Sequence, residues 1–192
     1  MIEAFSNRIA DWLIKTGVIK AELRALYSYA TFNLLHTSIP LIITIWIGFL
    51  MGSPIEGLFL ILPFVVLRKY CGGFHMSTPF RCVLASVFLL TSFLTLVKTT
   101  ELSFVLLIVF LVAELLLSLF SPVDPKSRNL TASEITYCSI HAKQSLVVID
   151  MLCCVLYLVN RTELSCSLMY GVILCEVLQL PVIIDNKRSK TP

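Results

Sequence analysis

Arg68-Lys-Tyr-Cys-Gly-Gly-Phe-His75-Met-Ser-Thr-Pro-Phe-Arg-Cys82 is a polar, glycine-broken island set between long apolar runs. Its surroundings decide how it reads. The chain of 192 residues is 57% hydrophobic and only 14% charged, with a mean hydropathy of +0.89, whereas soluble domains carry about 25% charged residues. The island is therefore a connection between membrane spans, and it holds ionisable groups at a depth where they are costly to keep.

Working outward from it, the apolar runs divide the chain into six expected spans near residues 32–51, 55–67, 82–97, 102–120, 145–159 and 164–184. Most approach the roughly twenty residues a helix needs to cross about 30 Å of hydrocarbon. The second is short and carries Glu56, Gly57 and Pro63, so it reads as bent and partly completed by the island. Residues 1–24 set Ile2, Phe5, Ile9, Trp12, Leu13 and Val18 against Arg8, Asp11, Lys15, Lys20 and Glu22, the pattern of an amphipathic helix that lies in the membrane surface or packs on the rest of the protein. No secretory leader is expected, because Glu3, Arg8, Asp11 and Lys15 interrupt the start. The fold expected is all-α: a single-domain polytopic membrane bundle of six transmembrane helices behind an N-terminal amphipathic helix. A four-crossing version would make residues 55–67 and 82–97 re-entrant.

Charge placement orients this arrangement. With six crossings, the side of the amino terminus holds Arg8, Lys15, Lys20, Arg24, Arg68, Lys69, Arg81, Lys126, Arg128, Lys143, Lys187, Arg188 and Lys190, and the other side holds Lys98 and Arg161. By the positive-inside rule both termini and the island face the cytoplasm of a multi-pass cell-membrane protein. A net charge of +3 marks no nucleic-acid partner. Seven cysteines are an odd number, several lie inside apolar runs, and no disulfide framework is expected.

The island carries the chemistry. A cysteine thiolate is a strong nucleophile, and a nearby histidine lowers its pKa or takes its proton. In one continuous helix His75 and Cys82 would sit on the same face but about 10 Å apart. Pro79 changes this: it disfavours helix at Thr78 and suits the first turn of a new one. Cys82 then falls in that first turn, where free amides and the helix dipole favour a thiolate. Thr78, or Ser77, caps the helix. Gly72 and Gly73 permit positive φ or close approach of a substrate backbone. Arg68, Lys69 and Arg81 either attract an acidic substrate or anchor helix ends at headgroups.

The order Arg68, Gly72-Gly73, His75, Cys82 resembles the signature of the accessory gene regulator B family, membrane cysteine endopeptidases that process quorum-sensing propeptides in Gram-positive bacteria. The resemblance extends to the charged amphipathic start, the apolar spans and the Pro/Lys-bearing segment Pro122 to Arg128. It implies that Cys82 is the nucleophile and His75 its base. It also implies removal of the acidic C-terminal part of a small amphipathic propeptide, with the retained part held as a thioester and cyclised to a thiolactone or lactone. Such chemistry needs no metal or cofactor. The partners expected are that propeptide, membrane lipid and a second copy of the chain.

Three carboxylates within apolar runs, Glu114, Asp150 and Glu176, are candidates to orient His75 or to act as bundle partners. Cys138 and His141, with Cys71, His75 or Cys82, offer a zinc alternative. Two other classes of function stand beside the enzyme: a small-molecule or ion transporter using the buried carboxylates, and a noncatalytic adaptor with a Cys/His metal or redox site.

Overall fold

The computed structural model describes residues 2–73, 79–123 and 131–188. These residues form seven α-helices, α1 (Ile2–Lys15), α2 (Arg24–Leu50), α3 (Pro54–Cys71), α4 (Pro79–Thr99), α5 (Phe104–Phe120), α6 (Ala132–Leu158) and α7 (Thr162–Arg188), with a 3-10 turn at Ala21–Leu23. There is no strand among the described residues, as the all-α expectation requires. The chain divides into two compact units, Met1–Ile43 and Thr44–Pro192.

In the first unit, α1 is tied to the start of α2 by side chains that its sequence places on one face. The Arg24 guanidinium grips Asp11 at two points, Nε to Oδ1 at 2.6 Å and Nη2 to Oδ2 at 3.1 Å. Ser28 donates to Asn7 Oδ1 at 2.6 Å. This partnership holds the Asp11 carboxyl below its ordinary pKa and raises that of Arg24. The buried side chains of α1 are small, Ser6 and Ala10, while Phe5 and Trp12 stay exposed. A helix showing aromatic rings outward suits a membrane surface.

In the second unit α7 is the axis. From Ser165 to Glu176 nearly every side chain is buried, and Gln179 is fully so. Helix α3, which buries Leu60, Ile61, Pro63, Phe64, Leu67 and Cys71, packs closely on it. The crossing depends on Gly171, where any Cβ would run into the Leu60 carbonyl and come within 3.0 Å of the Pro63 ring. Helices α5 and α6 lie against this core by narrow seams, Leu106, Phe110, Ala113 and Leu117 on α5 and Ala142, Leu146, Ile149 and Cys153 on α6. Most other large side chains on α5 are apolar and exposed, including Phe104, Val105, Leu111 and Leu119. An apolar surface that broad marks contact with lipid or with another protein.

Among the described residues two helices meet the length and hydropathy of a span: α6, and α7 over Thr162–Ile184. Other apolar helical stretches among those residues, Ser38–Leu50, Val83–Thr99 and Phe104–Phe120, are shorter, so two spans and not six meet both criteria. Boundaries also differ from the sequence reading. Helix α3 continues past residue 67 through the first four island residues, whose Arg68 and Lys69 suit a helix C-terminus. Helix α6 starts at Ala132 rather than near 145, because Thr131 and Glu134 form a capping box: Glu134 N–H donates to Thr131 Oγ1 at 3.4 Å and Thr131 N–H to Glu134 Oε2 at 2.8 Å.

Candidate functional site

The island begins as helix and leaves it at glycine. Gly72 ends α3 with φ 75° and ψ −154°, backbone angles essentially reserved for glycine. A side chain there would collide with the Val123 carbonyl. Gly73, at φ 138°, is buried against α7: a Cβ would lie 3.4 Å from the Leu178 carbonyl and 2.9 Å from the Arg68 guanidinium. Gly72 is thus required by close approach of the Val123 backbone, and Gly73 by its positive φ.

Under the glycines lies a buried polar node. Gln179 donates from Nε2 to the Cys71 carbonyl at 2.6 Å and to Ser121 Oγ at 3.0 Å. The Val123 N–H reaches the same Cys71 carbonyl at 2.9 Å, and Gly72 pairs with Val123 as an isolated bridge. The Cys71 sulfur is hydrogen-bonded to Ser121 and to Cys175. Three chain segments, the end of α3, residues 121–123 and α7, are fastened at one point, and the island departs from it. Glu176 sits on the adjoining turn of α7, only 4% exposed, with neither carboxyl oxygen hydrogen-bonded. A buried polar group without a partner is rare.

The basic residues of the island divide. Arg68 is half-buried with its guanidinium carbon 5.4 Å from the Phe64 ring centre, whereas Lys69 and Arg81 are exposed. Helix α4 begins at Pro79, which puts the backbone of Cys82 in its first turn; the Cys82 side chain lies outside the described atoms. His75, Ser77 and Thr78 lie outside the described residues.

Of the three carboxylates, Glu114 and Asp150 are hydrogen-bonded to each other between α5 and α6. Glu176 alone adjoins the node. His141 is engaged by aromatic neighbours: its ring stacks on Tyr70 at 5.4 Å and lies 3.9 Å from Tyr137, with Nδ1 2.9 Å from the Tyr137 carbonyl. Among the described residues no three His, Cys, Asp or Glu side chains gather as metal ligands. Cys153 and Ser165 bond reciprocally through each other's carbonyls, at 3.9 and 3.2 Å. Gln179 and Ser121 drew no attention in the sequence; the signal available was a glutamine inside an otherwise apolar run.

The family model for accessory gene regulator B matches residues 6–180. The chain belongs to this family. Two relatives from Clostridium perfringens, both named as AgrB-like, align over 138 residues: that of strain SM101 / Type A is 28% identical and that of strain 13 / Type A is 25% identical. Each alignment covers 68% of this chain and 64% of the relative, so the chain spans just under two thirds of those proteins. No solved structure matches. The family is one of membrane proteins, in keeping with the two span-length helices and the lipid-ready surface of α5.

Proposed function

We propose that the chain is a membrane cysteine endopeptidase with acyl-transfer activity that processes a small quorum-sensing propeptide. Family membership over residues 6–180 carries the reading, and the start of α4 at Pro79 supports it, since a cysteine in a helix's first turn is placed for thiolate formation. His75 takes the Cys82 proton, and the thiolate attacks the scissile carbonyl. The tetrahedral intermediate collapses to a thioester as the imidazolium returns its proton to the leaving amine. Free amides at the α4 N-terminus stabilise the oxyanion. A cysteine or serine within the bound peptide then attacks the thioester, closes the thiolactone or lactone and releases the Cys82 sulfur. No metal or cofactor enters these steps.

Exposed Lys69 and Arg81 draw the acidic C-terminal part of the precursor to the island. Arg68 acts from a half-buried position against Gly73 and Phe64 and shapes the island's base. The lysine and arginine bias supports termini and island at the cytoplasmic face of a multi-pass protein in the bacterial membrane, and a second copy of the chain belongs to the same reading as a partner.

The test is coexpression with a candidate precursor, with peptide masses followed for wild type, Cys82→Ala and His75→Ala. Cleavage and the cyclised mass are expected in the wild type alone. Cleavage that survives in Cys82→Ala would end the assignment, and a precursor moved but never shortened would favour a transporter.

A further inference from the structure

The amino-terminal unit carries an apolar groove of about 540 Å³, within the size range of small-molecule sites. One wall is α1, with Ala4, Phe5 and Arg8, and the other is α2, from Leu35 to Ile42. That stretch of α2 is two turns long, about 10 Å. The protein itself holds the two walls in place, because Arg24 grips Asp11 and Ser28 binds Asn7 on the side of the groove nearer the connection between the helices.

The chemistry of the walls narrows the occupant. Phe5, Leu35, Ile39 and Ile42 offer hydrocarbon, and the groove is open, with Phe5 and Ile42 each more than half exposed. The one hydroxyl on the wall, that of Ser38, is already bonded within α2 to the Leu34 carbonyl at 2.8 Å. Walls of this kind give no partner to the N–H and C=O groups of an extended peptide and no anchor for ordered water. Their single charge is Arg8, which is exposed and has no ion pair among the described residues. Asp11, one turn further along α1, is committed to Arg24 and leaves that charge uncompensated. An arginine lays its stem along hydrocarbon while its head stays in water, and its guanidinium fork matches a phosphate. The complement of the groove is therefore a hydrocarbon chain joined to one anionic group.

We infer that the groove holds an anionic phospholipid, with one acyl chain lying along α2 between Leu35 and Ile42 and the phosphate received by Arg8. A zwitterionic lipid carries the same phosphate, but its own ammonium competes for it, so a headgroup of net negative charge is preferred. The site is separate from the island and does not depend on the island being catalytic.

Trp12 stands one turn beyond Arg8 and is exposed, and Trp46→Phe leaves it as the sole tryptophan of the chain. The full-length protein with that replacement is placed in phosphatidylcholine nanodiscs containing a minor fraction of phosphatidylglycerol. Bromine, which quenches tryptophan fluorescence, is carried on the acyl chains of either the phosphatidylglycerol or an equal amount of the phosphatidylcholine, so surface charge is the same in both arms. Brominated phosphatidylglycerol is expected to quench Trp12 as a lipid enriched about fivefold around it. Arg8→Gln should bring the two arms together. Ala4→Leu, which fills the groove and keeps the charge, should do the same. Lys15→Gln removes an equal charge from the same helix away from the groove and should leave the preference intact. All three side chains are exposed, so helicity and melting temperature should not change. Equal quenching by the two lipids in the parent protein, or a preference that survives Arg8→Gln and Ala4→Leu, would overturn the inference. An equal loss in Lys15→Gln would also overturn it, by reducing the effect to surface potential, as would a Trp12 shielded from both lipids, which would show that protein covers the groove.

Discussion

Gln179 and Glu176, three residues apart on α7, present opposite balances of burial and bonding. The Gln179 amide is fully buried and donates twice, to the Cys71 carbonyl and to Ser121. Gln179→Glu keeps the shape, removes both donors and turns an acceptor toward a carbonyl. The expected loss is about 3 kcal/mol, read as a lower melting temperature in nanodiscs, with precursor cleavage falling because the island loses its footing. An unchanged melting temperature would show that the node is not holding the segments together. Glu176 is buried with no hydrogen bond, so Glu176→Gln removes an ionisable group whose burial is uncompensated. We expect a gain of about 1 kcal/mol and intact cleavage. If cleavage instead fell tenfold or more in a folded variant, the carboxylate would belong to the reaction.

Between elements, the decisive contact is the crossing of α3 on α7. Gly171→Ala inserts a Cβ against the Leu60 carbonyl and the Pro63 ring; both belong to rigid parts of α3, so the helices must separate. A cost of about 1–3 kcal/mol follows, checked by thermal unfolding. In the amino-terminal unit the contact of α1 with α2 is electrostatic and pH-dependent. Arg24 depresses the Asp11 pKa, so the carboxylate's contribution is present above its unfolded value and lost as pH falls through the lower folded one. Amide exchange in α1 should therefore accelerate below about pH 4, and Asp11→Asn should accelerate it at neutral pH and remove the acid step. Much of this layout was legible in the chain: apolar runs gave the helices, and Pro79 marked where α4 starts. The Thr131/Glu134 capping box was equally legible, yet the polar composition around it masked the first turns of α6. The node was not legible at all, because Gln179 and Cys71 stand 108 residues apart and no local period connects them.

At the scale of the molecule, the exposed apolar surface calls for a bilayer or a protein to cover it. Val147, Val148, Met151 and Val155 on α6 continue the exposed apolar surface seen on α5, and α6 and α7 are each long enough to span. They are joined at Asn160 and Arg161, so as a hairpin of spans they carry Arg161 to one face and return the chain to the other. From Lys143 to the end of α6 at Leu158 is about 22 Å along the helix, with Arg161 in the turn beyond, so the two positions bracket most of the hydrocarbon thickness. By the positive-inside rule, the concentration of lysine and arginine on Lys143's side predicts a cytoplasmic position for it. Cysteines placed at these two positions, in a chain with Cys82, Cys138 and Cys154 replaced by serine, should therefore differ toward a membrane-impermeant maleimide. Arg161→Cys is expected to label in intact cells, and Lys143→Cys only after permeabilisation. The reverse pattern would move the island to the outside and with it the encounter with a newly made precursor. Labelling of both from one side would mean that α6 does not cross between them, leaving its exposed valines and methionine to be covered by protein instead of lipid.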